Sequence, residues 1–513
     1  MQLLELYVGE YRVLRKLRII FELGDNARDI QSGYCLDFLV GLNGTGKSTV
    51  LHLLSRIFTN ILSGESTAFP ISIELKYRIN DKDVTISNLS DDRTDEISGG
   101  PLRYNVTEPD GKQGEWHPTK LPLDLRPTRV IVHTTGNEEM WLEELAEDNG
   151  EVGPFAEAIP DGPDRFLQEM PGRHFVDVGL QPIDETSPPL LFIRSNRLRL
   201  VALCGLIASR KRKRDTGQET LQQVLQSMNL EGLMAFSLRI RLDPAWSTES
   251  RPPVIKLLED AADHQIQQGA DRLLVFSFEK ESAELEGILE LYSTPIEIFQ
   301  KLNDLCESRP YYDPALREIN LFFRVAEPEG ADAVKPPLYL FESLSDGEQS
   351  FLGRMALFSL FRANELLIML DEPEVHFNDA WKREIVNMLD GIMRGHSSHA
   401  LITTHSSIAL TDVPKDRIVV LRRDASIQGG ASPSAKPPSI DTFGADPSDV
   451  LVHVFGTGAA TGQRSISYIG AEIARSADVA ALESLEKLVA PGYWRYRIEL
   501  EKERLRSLEG PTS

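Results

Sequence analysis

The run Gly41-Leu42-Asn43-Gly44-Thr45-Gly46-Lys47-Ser48 constrains this chain more than any other. Its glycines let the backbone curl until successive N–H groups face one point. A helix that follows adds its positive end, so the loop suits bound phosphate groups. The apolar run Cys35 to Val40 before it reads as a strand, and Val50 to Leu54 after it opens a helix. That strand–loop–helix context is what a phosphate loop of the form GxxxxGK[ST] requires. Gly41, Asn43, Gly44, Thr45 and Gly46 are expected to line the phosphates. Lys47 is placed to reach the β- and γ-phosphates, Ser48 to ligate Mg²⁺, and Thr49 to touch the α-phosphate.

A second element belongs with the first. Leu366-Leu367-Ile368-Met369-Leu370 is apolar throughout, as in a strand covered on both faces, and it delivers Asp371-Glu372 at its end. Ligands in open α/β sheets sit at that carboxyl edge. Asp371 is expected to hold Mg²⁺ through water, and Glu372 to orient or deprotonate an attacking water.

With 513 residues, 41% of them hydrophobic and 26% charged, the chain is long enough for two or three globular units. No apolar run reaches the ~18–20 residues of a membrane span, and the N-terminus shows no basic-then-apolar leader. The three cysteines, Cys35, Cys204 and Cys306, are far apart and outside any CxxC pattern, which fits a reducing cytoplasm. The formal charge of −23 repels a phosphate backbone on average. Only the run Arg210-Lys211-Arg212-Lys213-Arg214 offers a local basic patch for DNA. Its plainer reading is a solvated loop after a helix.

The pattern along the chain predicts an α/β fold whose nucleotide-binding domain comes in two halves. The first, residues 1–135, holds strands from Leu3 to Phe21, a hairpin over residues 70–90 turning at Asn80-Asp81, and a strand from Thr128 to His133. Residues 136–335 read as an inserted, mostly helical subdomain, with helices starting at Leu198 and Leu221 and another from Val254 to Gln268. Residues 336–425 carry the second half: a strand at Pro337 to Phe341, helices from Gln349 to Arg362 and from Trp381 to Met393, and strands at Ala400 to Thr404 and Arg417 to Leu421. Residues 426–513 read as a mixed, partly helical C-terminal tail that ends in a helix from Trp494 to Leu508 and is suited to hold a partner.

Leu344-Ser345-Asp346-Gly347-Glu348-Gln349 resembles the signature of ABC-type ATPases, LSxGE or LSGGQ. It also reads as a helix N-terminus with Ser345 as cap and Glu348 closing a capping box. His405, after the strand at Ala400, resembles the switch histidine of the same family. The order phosphate loop, signature, carboxylate pair, histidine follows the ABC pattern. The resemblance covers residues 1–135 and 335–425. In that family the signature faces the ATP held by a second subunit. It therefore implies ATP and Mg²⁺ as ligands, ATP hydrolysis, and a homodimer or higher homo-oligomer with Leu344 to Gln349 acting in trans. Glu372 and His405 would be the catalytic groups, and Ser48 and Asp371 the metal ligands.

Glu348 at that position and the long gap between loop and signature resemble the SMC, RecF and OLD branch rather than transporter subunits. Asp371 to Asn378 is similar to the DEPExHxxP/N run of OLD-like and RecF-like ATPases, and Thr403-Thr404-His405-Ser406 to their TTHS. Val130 to Glu138 and Thr442 to Ala445 resemble segments of ATPases from bacterial anti-phage systems such as Septu. The family's Q-loop glutamine has no counterpart here, and Asn137 stands at roughly its place. Arg12, in the first strands, is the candidate for an arginine packed near the nucleotide. Asp441, Asp446 and Asp449 read as turn and helix-cap residues rather than nuclease ligands. These resemblances imply a cytoplasmic ATPase that senses phage or DNA and controls a separate effector nuclease. A RecF-like or SMC-like repair ATPase acting on DNA is the alternative, and a transporter subunit the remote one.

Overall fold

The computed structural model describes residues 1–21, 34–63, 68–89, 99–118, 120–139, 141, 190–216, 220–242, 251–278, 295–306, 314–325, 338–360, 364–423 and 433–509. The chain divides into two compact units, Met1–Ala445 and Asp446–Ser513.

The larger unit is organised by a seven-stranded sheet. Its order is Leu190–Ile193, Arg129–Thr134, Leu366–Asp371, His399–Thr404, Cys35–Gly41, Ile418–Arg423 and Pro433–Lys436. Each neighbouring pair is parallel except the last, where Pro433–Lys436 closes the edge antiparallel. Every side chain of Leu366–Asp371 and of His399–Thr404 is buried, as expected for parallel strands covered on both faces. The strand order reverses at Cys35–Gly41, whose carboxyl end carries the phosphate loop. Such a reversal opens a crevice at the sheet edge, which is where ligands bind in this class of fold.

A second, antiparallel sheet packs on the helix that follows the loop. It runs Leu14–Ile20, Gln2–Tyr11, Ile73–Ile79, Lys82–Ser87, Arg103–Thr107, His117–Pro118. Strand Ile73–Ile79 alternates buried and half-buried residues without a break. The hairpin turns at Asn80 and Asp81, both with φ near +50 to +60° (48° and 62°), the left-handed conformation that a two-residue hairpin turn demands and that Asn and Asp tolerate. The helix Lys47–Ser63 fills the space between the two sheets, burying Val50, Leu51, Leu53, Leu54, Ile57, Phe58 and Ile61.

The stretch between the two halves is helical at Leu198–Thr216, Gln222–Ser227, Pro253–Ala261 and Pro295–Cys306, and it also builds a five-stranded antiparallel sheet. That sheet runs His264–Gln268, Asp271–Ser277, Leu230–Arg241, Leu316–Val325, Leu338–Leu340. Among the described residues the helices of this stretch thus stand beside a sheet that the sequence pattern does not announce. One expectation is corrected here: the helix expected over Val254 to Gln268 stops at Ala261, after which His264–Gln268 forms an edge strand paired with Asp271–Ser277. All five residues of that edge are exposed, so no apolar alternation marks it as a strand. The helix Leu198–Thr216 lies against the helix Asp346–Leu360. A β-carbon at Gly205 would come within 2.6 Å of the Ala356 carbonyl oxygen, and one at Gly353 within 2.8 Å of Leu198 Cβ. This close crossing anchors the helix that begins at the signature.

The smaller unit holds helices Pro447–His453, Gln463–Arg475, Val479–Glu486 and Tyr493–Glu509. Ile469, Leu482, Leu485, Ile498 and Leu505 form its core. Asp446 and Asp478 cap two of its helices by accepting backbone N–H bonds from Ser448 and Ala481. No helix among the described residues is long and apolar enough to cross a membrane.

Candidate functional site

The parallel sheet brings its chemistry to one edge by register. Thr134 stands opposite Asp371, and Asp371 opposite Thr403, on adjacent strands. Residues in register on neighbouring strands project to the same face, so these three side chains form one row. Thr404 pairs with Val40, one residue before Gly41 and the loop.

The loop itself is held from two sides. Gly44 and Gly46 adopt φ of +76° and +103°. A β-carbon on Gly46 would sit 2.7 Å from Leu14 Cδ2, so the loop packs under the tip of the first hairpin. That tip is Tyr11 to Leu14, and Arg12, at φ +54°, is in it, with its guanidinium 5.4 Å from the Tyr11 ring centroid. Tyr11 in turn hydrogen-bonds His52 of the loop helix, Oη to Nδ1, at 2.7 Å. Burial, with Arg12 and Arg56 nearby, pulls the His52 pKa down to about 3, so its ring is neutral. On the other side, Arg423 Nη2 lies 3.7 Å from the position of a β-carbon at Gly44. Sequence reasoning missed Arg423; its only signal is a cation at the end of a strand adjacent to the loop strand.

Lys47 turns back over the loop. Its Nζ donates to the Gly41 carbonyl at 3.1 Å and lies 2.7 Å from His405 Nε2 and 3.9 Å from Glu372 Oε1. Burial pulls its pKa down, while Glu372, Asp371 and Glu374 oppose that pull. Ser48 Oγ donates to Asp371 Oδ1 at 3.0 Å. The same oxygen accepts from Thr403 Oγ1 at 2.6 Å, and Oδ2 accepts from Thr134 Oγ1 at 3.1 Å. The hydroxyl of Ser48 and the carboxylate of Asp371 thus share one small polar volume at the loop. Hard oxygen donors at that spacing suit Mg²⁺, which keeps most of its waters and takes few protein ligands.

Glu372 follows directly. Its Oε1 lies 2.7 Å from His405 Nε2, and the hydrogen bond with His405 is the main reason its carboxyl titrates below the ordinary range. Its backbone is left-handed at φ +52°, a conformation costing about 1–2 kcal/mol for a residue with a β-carbon. Two acceptors on Thr403 hold its N–H: the carbonyl at 3.2 Å and Oγ1 at 2.9 Å. Glu374 is buried, accepts from Thr404 Oγ1 and from the His405 N–H (3.0 Å), and is pushed up in pKa by that burial. It therefore fixes the backbone on which His405 is mounted.

The segment Pro373 to Phe377 is pinned from the signature helix. Arg354 Nη1 donates to the carbonyls of Pro373 and Val375, each at 2.6 Å, and its guanidinium lies 5.3 Å from the Phe377 ring. Burial pulls the Arg354 pKa down to about 10, so it stays charged near neutral pH. Phe351 stacks on Trp381 at 4.4 Å and meets Phe377 edge-on at 4.9 Å. Arg354 was not singled out from sequence; its signal is a lone cation on an otherwise apolar helix face.

The signature sits at that helix's exposed start. Ser345 Oγ accepts from the Glu348 N–H at 3.3 Å, and Glu348 Oε2 accepts from the Ser345 N–H at 2.7 Å, which is the expected capping box. Gln349 Nε2 donates to the Leu344 carbonyl at 2.8 Å. A β-carbon on Gly347 would stand 2.8 Å from the His376 carbonyl oxygen, so only glycine allows this helix start to approach the segment after Glu372. Ser345, Gly347 and Glu348 line a cavity of about 520 Å³ with Asn229, His376, Asn378 and Trp381 among others. No residue of the phosphate loop lines it.

The structure therefore gathers Lys47, Ser48, Asp371, Glu372 and His405 into one site and sets Leu344 to Gln349 at a separate one. Asn137 is exposed on the loop after Thr134. The basic run is not a loop after a helix, as its plainer reading had it: residues 210–214 fall in the last turns of Leu198–Thr216, where cations complement the helix dipole. Arg210 lies 4.4 Å from the Phe278 ring centroid and donates to that residue's carbonyl at 3.2 Å.

Residues 38–412 match the model of a family described as "AAA domain, putative AbiEii toxin, Type IV TA system". The chain belongs to this family. It is thus a P-loop ATPase by family as well as by the loop, the carboxylates and the sheet that presents them. Among solved structures it is similar to an SMC head bound to the C-terminal winged-helix domain of ScpA (12% identity, 86% of this chain, 98% of that one, TM-score 0.29). It is also similar to the SMC head domain from Thermotoga maritima (11% identity, 86% of this chain, 100% of that one, TM-score 0.31). A third is an Smc head with an extended coiled coil bound to the C-terminal domain of ScpA, from Pyrococcus furiosus (14% identity, 85% of this chain, 96% of that one, TM-score 0.27). At such low TM-scores these likenesses carry no weight beside the family match. No curated protein matches the chain.

Proposed function

We propose that this protein hydrolyses ATP with Mg²⁺ at composite sites formed by two copies, each supplying its phosphate loop to one site and its signature to the other. The observation that carries this reading is the separation just described: one loop, one signature, and a cavity at the signature that the chain's own loop does not line.

The chemistry follows from the donors. Lys47 and the Nε2–H of His405 converge beside Glu372. A ring nitrogen cannot donate to Glu372 and accept from Lys47 at once. An oxygen of a terminal phosphate between them would accept from both donors. That releases Glu372, a carboxylate ionised near neutral pH, to accept a proton from the water that attacks phosphorus. Ser48 and Asp371 would hold the metal, which supplies charge neutralisation at the phosphates. Ser345 Oγ and the N–H groups at the signature helix start would contact the same γ-phosphate from the other copy.

Closure and opening of such a dimer is suited to control a partner. The family description includes a toxin of a toxin–antitoxin system, and the sequence resembles anti-phage ATPases. We read the insertion and the unit Asp446–Ser513 as surfaces that hold an effector, with a nuclease as the first candidate. Direct action on DNA is less favoured, because the one basic run lies at a helix end with Arg210 engaged on Phe278.

Phosphate release from purified protein, measured against protein concentration, tests the ATPase reading. Specific activity should rise with concentration as dimers form and vanish in Lys47→Ala. Concentration-independent activity would remove the composite site. Co-purification of Glu372→Gln with ATP, from cells carrying the native gene neighbourhood, tests the effector reading.

A further inference from the structure

The row Thr134, Asp371, Thr403 does more than decorate a sheet edge. All three side chains are almost wholly buried (0%, 5% and 0% exposed). Asp371 must present one oxygen environment to a metal, yet a carboxylate on a strand end can rotate about its terminal bond. Here both oxygens are claimed. Thr134 Oγ1 donates to Oδ2 and also accepts the Gly136 N–H at 3.0 Å, which orients its hydroxyl. Thr403 Oγ1 donates to Oδ1 at 2.6 Å and accepts the Glu372 N–H at 2.9 Å. A threonine hydroxyl has one proton and two lone pairs, so it can do both at once. The Thr403 hydroxyl is thereby a direct link between the metal carboxylate and the backbone of the next residue, whose left-handed φ it helps to hold.

We propose that Thr403 is a positioning residue that sets Asp371 and Glu372 relative to each other, with Thr134 fixing only the far oxygen of Asp371. This rests on the reading of the site as ATP–Mg²⁺ binding. The strand register enforces the arrangement, since a slip of one residue would turn Thr403 to the opposite face. The two threonines therefore differ in reach. Loss of the Thr134 hydroxyl frees one carboxylate oxygen. Loss of the Thr403 hydroxyl leaves the other oxygen held by Ser48 alone and also removes an acceptor from the Glu372 N–H.

The test uses the full chain with Mn²⁺ and a non-hydrolysable ATP analogue, with bound Mn²⁺ read by electron paramagnetic resonance and turnover with Mg²⁺–ATP read separately. Groups that orient a metal ligand typically change metal affinity about 10–100-fold. Thr403→Val should weaken nucleotide-dependent Mn²⁺ binding in that range and lower turnover even at saturating metal, and Thr403→Ser should restore both. Thr134→Val should weaken Mn²⁺ binding comparably but lower saturated turnover less than Thr403→Val does. If Thr403→Val does not fold, Thr403→Ala carries the same comparison. Wild-type Mn²⁺ affinity in the Thr403 variants, or equal losses in Thr403→Ser and Thr403→Val, would overturn the proposal. If the wild-type protein itself shows no nucleotide-dependent Mn²⁺ binding, the ATP–Mg²⁺ reading fails instead, and the two failures are distinct.

Discussion

The phosphate-loop edge and the signature are built in opposite ways. At the edge, Lys47, Ser48, Asp371 and Glu372 are tied to one another and to Thr134, Thr403 and His405 across four strands distant in sequence. At the signature, Ser345, Glu348 and Gln349 bond only within their own turn, and Ser345 and Asp346 face solvent. The first region is organised by tertiary structure. The second is a locally folded helix start with an exposed cap. On the reading we propose, the first is a reaction centre and the second a docking face that a second copy of the chain completes.

The largest effect should come from the reaction centre. Glu372→Gln keeps the shape and the bond to His405 but removes the proton acceptor. Turnover should fall about 10²–10⁴-fold with nucleotide affinity retained, measured by phosphate release and by fluorescent-ATP binding. Lys47→Ala should instead lose affinity on the order of a hundredfold, from about 3 kcal/mol of charge-assisted bonding to phosphate. Its thermal stability should not suffer in proportion, because the ammonium is held in the fold against a depressed pKa. If Lys47→Ala binds nucleotide normally, the loop is not the reaction centre.

At the docking face the expectation is milder. Gly347→Ala forces a β-carbon to 2.8 Å from the His376 carbonyl, an overpacking worth about 1–3 kcal/mol. It should lower the unfolding temperature and the turnover while single-chain nucleotide binding holds. Equal loss of binding would blur the division between the regions.

The smallest effect is a pH dependence. The folded carboxyl of Glu372 titrates below its ordinary 4.5, chiefly through His405. Its stabilising contribution is therefore present above that ordinary value and is lost as pH falls through the lower folded one. The difference in unfolding temperature between wild type and Glu372→Gln should shrink as pH falls below that ordinary value. A difference that stays constant as the carboxyl protonates would detach Glu372 from His405.

The same contrast explains what was legible in sequence. A loop such as Gly41 to Ser48 must be local, because its glycines and lysine act through adjacent backbone. Asp371-Glu372 is legible because an all-apolar strand must precede it, and Asn80-Asp81 because a left-handed turn selects those residues. Thr134, Thr403, Glu374 and Arg354 act through strand register and helix crossing, which no short window encodes. The inserted sheet was missed for two different reasons. Leu230–Arg241 and Leu316–Val325 do alternate, with Phe236, Leu238, Ile240 and Ile319, Leu321, Phe323 buried, but the strongly apolar run at Leu198 gives the stretch a helical signature that outweighs theirs. His264–Gln268 has every side chain exposed, and only its partner strand defines it.

Sedimentation of Glu372→Gln with and without Mg²⁺–ATP tests the composite site. Monomers are expected without nucleotide and dimers with it. Glu372→Gln carrying Ser345→Arg should bind ATP yet remain monomeric. A Glu372→Gln protein saturated with Mg²⁺–ATP that stays monomeric, or a dimer indifferent to Ser345→Arg, would contradict it.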